Sequence, residues 1–370
     1  MAAYMIQMFV LAALAGGYAY SLIRRIMKFY GLDVKKNQFK TLNIALAIAA
    51  TFSCVNLFST SAMVVLHILV TALVLDLAEL AVQLAGKNRQ QGKAYKIWEK
   101  VHGCGLVPVV ITCAIFVYGF INMNHVIQTE YTVTTDKKVG SYKIVLITDT
   151  HYGTIQDTDI LKEKVEEINA QNPDIVILGG DIVEEGTTKE MMQEVFSMFG
   201  GMKSQYGVYY VYGNHDRQPY TNNRSYTDEE LENAILAGGI TILEDGYTEI
   251  NDDLVLVGRG DAAWGNVSGR ASTEEILEGV DRNKYIILAD HQPIEAEEND
   301  AQGVDLELSG HTHAGQIWPT GLLTELSGGL NYGKYQVGNC NVVVSSGFAG
   351  WGYPIRTGKH SEYVIVTIQA

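Results

Sequence analysis

The sequence predicts an α/β fold, a layered sandwich of two sheets with helices outside, preceded by an all-α bundle of about four transmembrane helices. Three observations predict it. Four long apolar stretches occupy the first third of the 370 residues. After residue 142, apolar runs of strand length alternate with segments of helical spacing, which is typical of parallel βαβ units. The charge also changes there, because residues 1–125 carry a formal +7 and the remainder −22.

These observations divide the chain into a transmembrane anchor domain (1–125), a connector (126–141) and a soluble domain (142–370). Each apolar stretch approaches the ~20 residues that a helix needs to cross a bilayer. The lipid bilayer is therefore the first expected partner. The stretches are 4–23, 42–58, 62–84 and 105–121.

Charge also predicts the orientation of the anchor. Loop 24–40 holds six Lys and Arg residues and loop 85–103 holds five, whereas the connection 59–61 holds none. Basic loops remain in the cytoplasm. We therefore expect a multi-pass cell-membrane protein whose soluble domain lies on the extracytoplasmic face.

Composition and charge argue against several classes of substrate and site. The acidic soluble half repels polyanions, which disfavours nucleic acid as a substrate. The four cysteines form no CxxC or paired spacing, which argues against a disulfide scaffold or a thiolate zinc site. Asp76 and Glu79 in the third apolar stretch suggest a proton path in a transporter; the alternative is that they face the helix bundle or mark the helix end.

In the soluble half, helices are expected at 157–170, 190–199 and 228–237. Buried-strand runs are expected at 144–147, 175–178, 208–212, 240–243, 254–257, 286–288, 306–308, 342–344 and 363–367. This number of short strands predicts two sheets packed face to face. Residues 131–133 are a possible start of the first strand of this unit.

Metal-binding side chains follow five of these strands, where catalytic groups gather in such folds. Carboxylate, imidazole and amide oxygens together bind divalent cations. A lone His is more often structural, but five ordered strand-end placements argue against chance. The candidates are Asp149 and His151; Asp181; Asn214, with His215 and Asp216 beside it; His291; and His311 and His313.

This ordered pattern, D-x-H, G-D, G-N-H-D, H and G-H-x-H, closely resembles the calcineurin-like metallophosphoesterases over about residues 142–345. The string at 310–319 is similar to the bacterial membrane-associated branch of that family. The resemblance implies an αββα sandwich, two divalent metal ions (Mn, Fe, Zn, Ni or Co) and a metal-activated bridging hydroxide that attacks phosphorus.

The resemblance also implies roles for the ligands, for His215 and for Asp216, whereas Arg356, Arg259 and Asp261 are candidates because of the segments in which they lie. His215 would be a non-ligand that stabilises charge or protonates the leaving oxygen, and Asp216 would orient it. Arg356, in the Gly- and aromatic-rich loop 347–356, is a candidate phosphate ligand; the alternative is an ordinary closing turn. The stretch 258–265 is expected to place Arg259 or Asp261 near the pocket. The expected ligands are Asp149, His151 and His313 for the first metal, Asn214, His291 and His311 for the second, and Asp181 as the bridge.

The function predicted is a membrane-anchored, metal-dependent phosphoesterase that hydrolyses phosphomono- or phosphodiester bonds, with small, lipid-linked or envelope phosphoesters as candidate substrates. The alternative is a membrane sensor or binding protein with an inert phosphoesterase-like domain. Metal identity, substrate, ester preference and oligomeric state stay open.

Overall fold

The computed structural model describes residues 2–57, 59–85, 92–262 and 269–369. The chain forms two compact units, Met1–Tyr118 and Gly119–Ala370. The first is helical and the second is the α/β unit. The structure therefore has an α/β fold with mixed sheets and an N-terminal helical region.

The apolar stretches of the N-terminal half are helical, but the predicted four-span bundle is not confirmed. Among the described residues, two helices are long and apolar enough to cross a membrane, α3 and α5. Helix α2 has 17 residues. An additional amphipathic helix, α4, lies in the segment predicted as a basic loop. The helices are α1 (Ala2–Phe29), α2 (Asn37–Ser53), α3 (Thr60–Leu84), α4 (Lys93–Gly103) and α5 (Leu106–Asn124).

The two acids of α3 are held by hydrogen bonds within the helical unit. The Tyr18 hydroxyl donates to Asp76 at 2.8 Å, and His102 Nε2 lies 2.7 Å from the same carboxylate. Glu79 accepts a hydrogen bond from the Trp98 indole at 2.6 Å. These contacts fit the interpretation that the acids face the helices, and they favour no transport chemistry.

The first sheet has six strands in the order β1-β12-β2-β3-β4-β5. Strands β2 to β5 are parallel, as the βαβ pattern predicts, whereas β12 is antiparallel to β2 and parallel to β1. The strands are β1 (Val126–Thr134), β2 (Tyr142–Ile147), β3 (Ile175–Leu178), β4 (Val208–Tyr210), β5 (Thr241–Ile242) and β12 (Ser361–Gln369).

The segment 126–141 is more than a connector. Strand β1 occupies its first nine residues and pairs in parallel with β12 along its whole length. The sequence signal was weak because most side chains of β1 are only partly buried, so the strand lacks an apolar run.

The second sheet also has six strands, in the order β10-β11-β9-β8-β7-β6. Its four central strands are parallel and its two edge strands antiparallel. The strands are β6 (Gly246–Glu249), β7 (Leu254–Gly258), β8 (Tyr285–Ala289), β9 (Leu306–Ser309), β10 (Gly333–Val337) and β11 (Cys340–Val344).

The two sheets pack face to face. Leu146 and Ile177 of the first sheet share one buried cluster with Leu256 and Leu308 of the second. Helices cover the outer faces, with Phe196 packed on the first sheet and Ile276 on the second. These helices are α6 (Thr158–Ala170), α7 (Lys189–Gly200), α8 (Asp228–Ala237), α9 (Thr273–Ile276) and α10 (Ala296–Ala301). A further short helix, α11 (Thr320–Leu326), lies between β9 and β10 in the chain.

Candidate metal centre

The loops that carry the predicted ligands converge at the carboxyl ends of β2, β3, β4, β8 and β9. Backbone hydrogen bonds connect them directly. The Asp149 N–H donates to the Gly180 carbonyl at 3.0 Å, and the His151 N–H donates to the Asp181 carbonyl at 3.1 Å. The His311 N–H donates to the Asp149 carboxylate at 3.1 Å. The site is therefore built from neighbouring strand ends of both sheets.

Five of the seven predicted ligands have left-handed backbone conformations, which non-glycine residues adopt rarely and at a cost of ~1–3 kcal/mol each. Such strain persists where the surrounding structure imposes a functional geometry. The five are Asp149 (φ 56°), His151 (φ 43°), Asp181 (φ 50°), His311 (φ 67°) and His313 (φ 49°).

Two glycines permit this close approach of loops. Gly180 has φ 88°, and a Cβ atom there would lie 2.6 Å from the Gly213 nitrogen and 2.7 Å from Nδ1 of His291. A Cβ atom on Gly310 would lie 2.5 Å from the Asp149 carboxylate. Any larger residue would separate the strand ends that carry the ligands.

The predicted ligands form two groups. In each group the ligand atoms lie within 4.8 Å of one another. The imidazole centroids of His151 and His313 are 5.3 Å apart, and those of His291 and His311 are 5.1 Å apart. The first group is Asp149, His151 and His313, and the second is Asp181, His291 and His311.

The tautomer of His291 is set by its surroundings. Its Nδ1 lies 2.8 Å from the Gly179 carbonyl, which only accepts hydrogen bonds, so Nδ1 carries the proton. Its Nε2 then presents a lone pair 3.1 Å from the Asp181 carboxylate. Two electron-rich atoms at this distance require either a second proton or a cation. His313 is oriented in the same way, with Nδ1 3.2 Å from the Ala349 carbonyl.

The pKa values reflect this environment. Burial lowers the pKa of His311 to about 4 and that of His313 to about 3, so both imidazoles are neutral and able to bind a cation. Burial opposes the charging of His291, but Asp181 holds its pKa well above the usual value. The Asp181 pKa lies well below its usual value, because the neighbouring imidazoles outweigh the effect of burial.

The residues fit a metal pair. His151 Nε2, Asn214 Oδ1 and His291 Nε2 are buried and have no hydrogen-bond partner within the described part of the chain. An unsatisfied buried polar atom costs ~1–3 kcal/mol. A cation at each group would bind these lone pairs and would also compensate the negative charge of the buried carboxylates.

His215 is surrounded by groups that sequence reasoning missed. Its Nδ1 lies 2.7 Å from the Glu185 carboxylate. The rings of Tyr220 and Trp351 lie 5.0 Å and 5.3 Å from its own. Burial alone would lower the pKa of His215, but the carboxylates of Glu185, Asp181 and Glu184 together outweigh burial, so the pKa is raised. The signal available in the sequence was the acidic pair that follows Gly180-Asp181 within the same loop.

Glu184, the other acid of that pair, lies beside the first group, with its carboxylate 3.1 Å from Nδ1 of His151. A carboxylate on the far nitrogen orients a ligating imidazole and raises its basicity. The loop after β3 therefore supplies Asp181 to the metal groups and two carboxylates to the imidazoles around them.

The role expected for Asp216 is not supported. Its buried carboxylate accepts hydrogen bonds from four backbone N–H groups, those of Asp181, Ile182, Val183 and Gly213, at 2.6–3.1 Å. Burial, with the nearby Asp181, raises its pKa to about 6. Asp216 therefore joins the loops after β3 and β4, and Glu185 is the carboxylate that contacts His215.

Arg356 is not placed to bind a substrate at the rim. It is fully buried, and its guanidinium donates to the carbonyls of His313 at 2.9 Å and Ala349 at 2.6 Å. Arg259 is also buried and donates to Glu295 at 2.9 Å. Asp261 accepts from the Gln292 amide at 2.7 Å, next to His291. Residues 263–265 of the predicted stretch 258–265 lie outside the described residues.

Comparison with known proteins agrees with this geometry. A family model described as calcineurin-like phosphoesterase matches residues 142–315. An uncharacterized metallophosphoesterase of Aquifex aeolicus is 31% identical over 252 residues, which cover 65% of this chain and 90% of that protein. The chain belongs to the calcineurin-like phosphoesterase family. The family is dinuclear and metal-dependent, and the two ligand groups fit that property.

Other relatives of the family are longer than the matched region. An uncharacterized metallophosphoesterase of Helicobacter pylori is 31% identical over 243 residues, which cover 63% of this chain and 61% of that protein. A protein of Bos taurus named transmembrane protein with metallophosphoesterase domain is 29% identical over 301 residues, 75% of this chain and 66% of its own length. The match thus spans less than two thirds of the Helicobacter and Bos taurus proteins.

Proposed function

We propose that this protein is a membrane-anchored phosphoesterase that uses two divalent metal ions to hydrolyse phosphomono- or phosphodiesters. The observation that carries the proposal is the pair of ligand groups with unsatisfied, buried lone pairs at their centre. When bound, such metal ions supply Lewis acidity and a nucleophilic oxygen at neutral pH.

Each predicted ligand would bind one or both of the two metal ions. Asp149, His151 and His313 would hold one metal, and Asn214, His291 and His311 the other. Asp181 would be shared by the two groups, since Nε2 of His291 is 3.1 Å from its carboxylate and its backbone carbonyl accepts from the His151 N–H at 3.1 Å. His215, whose ring lies 5.5 Å from that of His151, would then face the phosphoryl group of the substrate.

His215 would act on the leaving group. Glu185 favours the protonated imidazole, so His215 can donate a proton to the departing oxygen. Tyr220 and Trp351 flank the ring and restrict its position. A positioned general acid contributes ~10²–10⁴-fold to rate.

Membrane anchoring is supported by helices α3 and α5. Only 22% of the most apolar window of each helix is buried within the structure, unlike the core helix of a water-soluble domain. The basic segment 85–103, which includes helix α4, connects these helices and would lie in the cytoplasm. The α/β unit that follows α5 would then lie on the extracytoplasmic face, whether the chain has two spans or four.

The test is metal analysis and hydrolysis by the purified full-length chain, with a panel of phosphomonoesters and phosphodiesters. We expect about two equivalents of divalent metal and hydrolysis of at least one ester class. Asp181→Asn should lose metal and at least ~10³-fold in kcat/KM, because it removes the charge shared by both groups. Asp252→Asn, at an exposed acid, is the matched control.

The alternative function makes the opposite prediction. A sensor with an inert domain would show the same background rate for the wild type, for Asp181→Asn and for Asp252→Asn. Metal binding without hydrolysis across the panel would favour the sensor, and absence of bound metal would overturn both interpretations of the site.

A further inference from the structure

Helix α11 presents an apolar surface that the α/β unit does not cover. Trp318 is 71% exposed, Leu323 59% and Leu326 75%, and Leu322 is also exposed. Contiguous exposed apolar groups on a water-soluble unit mark a contact with a protein or a membrane. We call these four residues the α11 patch.

The α11 patch is connected to the end of the apolar helix α5. The Trp318 N–H donates to the Thr357 hydroxyl at 3.0 Å, in a segment where the Arg356 N–H donates to the Gly119 carbonyl at 3.0 Å. The Asn122 amide donates to the Lys359 carbonyl at 2.6 Å. The patch and the last residues of α5 are thus attached to the same short segment, 356–359.

The end of α5 is itself apolar and exposed within the α/β unit. Phe120 is 55% exposed and Ile121 62%. The α11 patch therefore lies beside the point where a candidate membrane helix enters the unit, and Trp318 and Lys359 are residue types that favour the membrane–water interface.

We propose that the α11 patch inserts into the interface of the lipid bilayer and holds the metal centre at the membrane surface. The occupant is the lipid, because segment 356–359, which contacts Trp318, also hydrogen-bonds to the end of α5, a helix that is apolar enough to span a bilayer. This inference rests on the membrane anchoring of the proposed function and extends it to the substrate, which would be a phosphoester carried by a lipid.

The patch is coupled closely to the metal ligands. Gly315, two residues after His313, packs so tightly against α11 that a Cβ atom on it would lie 2.0 Å from the Gly321 nitrogen. Arg356 binds the His313 carbonyl from the other side. Insertion of α11 would therefore fix the distance between His313 and the surface of the bilayer.

Tryptophan quenching in nanodiscs of phosphatidylcholine with brominated acyl chains tests the insertion. The full-length chain and Trp318→Phe are compared, so that the difference in emission reports Trp318 alone. We expect bromine to quench this difference strongly relative to unbrominated lipid. Unquenched Trp318 emission, or failure of the chain to associate with the nanodiscs, would overturn the proposal.

A kinetic test uses one phosphodiester linked to a diacyl lipid in vesicles and a water-soluble analogue. We expect Leu323→Glu to lower hydrolysis of the lipid-linked ester ~10-fold or more, since burial of one leucine corresponds to about that factor. Hydrolysis of the soluble ester should stay unchanged. Leu236→Glu, at a 51% exposed leucine of α8, should change neither rate. Equal lipid-ester rates for Leu323→Glu and wild type, with equal thermal unfolding midpoints, would count against insertion.

The two proposals fail separately. Quenched Trp318 without hydrolysis of any ester would leave the insertion standing and remove the enzymatic function. Hydrolysis of soluble esters with unquenched Trp318 would leave the phosphoesterase standing and remove the insertion.

Discussion

In this protein, the protonation and hydrogen bonding of a side chain depend on the groups that it contacts, and two residues of the same type can differ. His291 and His215 lie in the same centre, yet one presents a lone pair to the metal groups and the other is held by Glu185. The difference arises from the partner of Nδ1, which is a carbonyl for His291 and a carboxylate for His215. A carbonyl partner on Nδ1 directs Nε2 of His291 at Asp181, where a proton or a cation is required, and a carboxylate partner on Nδ1 of His215 favours the imidazolium.

Glu185→Gln should slow the proposed reaction in a way that depends on the leaving group. The amide removes the charge that favours protonated His215, so the loss should reach ~10²-fold for an alkyl phosphoester. It should be much smaller for a nitrophenyl ester, whose leaving group needs no proton. Steady-state kinetics on both esters measures this. Equal losses on the two esters would show that Glu185 does not act through proton donation.

Glu307 provides a residue-scale prediction about pH. It is fully buried, and burial raises its pKa to about 7, which its hydrogen bond from Asn299 only partly offsets. The folded state then retains a proton that the unfolded state releases above its ordinary value of 4.5. Stability from this group is therefore present below about pH 4.5 and is lost as the pH rises to about 7.

Glu307→Gln should remove that loss, because the amide stays neutral and can keep the contacts with Asn299 and Ser309. At pH 8 we expect the variant to gain on the order of 3 kcal/mol relative to wild type, and at pH 4 close to nothing. Thermal unfolding across this pH range measures the difference. A gain of the same size at both pH values would exclude titration of Glu307 as its cause.

At the scale of elements, the centre depends on a few connections between loops. Asp216 joins the loops after β3 and β4 through four backbone N–H groups, and Arg356 joins the turn after β9 to the loop after β11. The side chains of both residues contact backbone groups, although both residues lie in or beside the motifs. They hold the ligand loops in strained left-handed conformations that would otherwise relax.

Asp216→Ala should therefore destabilise the α/β unit. It leaves four buried N–H groups without an acceptor, which we expect to cost ~3 kcal/mol or more in the free energy of unfolding. The thermal unfolding midpoint should fall by about 6 °C or more. Scanning calorimetry on the full-length chain, with Asp252→Ala as the matched control, measures the change. An unchanged midpoint would contradict the structural role of Asp216.

At the scale of the whole molecule, charge separates a basic helical half from an acidic catalytic half. In the proposed topology, the basic segment between α3 and α5 would place the α/β unit on the extracytoplasmic face whether the chain has two spans or four. A formal −22 on residues 126–370 would repel polyanions.

A reporter fused after Ala370 tests this orientation. A reporter that is active only outside the cytoplasm should give a signal, and a reporter that is active only in the cytoplasm should give none. Replacing the basic residues of loop 85–103 with neutral ones should weaken or reverse that difference, since these charges set the topology. A cytoplasmic signal from the unmodified chain would contradict the extracytoplasmic assignment.

The sequence by itself identified most strands of the α/β unit and the candidate ligands that follow them, through apolar runs of strand length and polar side chains where such runs end. The division of those ligands into two sets came from the resemblance to the calcineurin-like metallophosphoesterases. Asp149, Asp181 and His291 were identified because parallel strands bring their carboxyl ends together in any α/β sheet.

Only the tertiary structure decided which distant segments of the chain contact one another. Strand β1 lacks an apolar run, and its pairing with β12 joins residues more than 230 positions apart. The same holds for the contact of Glu185 with His215, for the buried position of Arg356, and for the connection of Trp318 to the end of α5. Hydrogen bonds and burial depend on which distant segments meet, and local pattern carries no information about that.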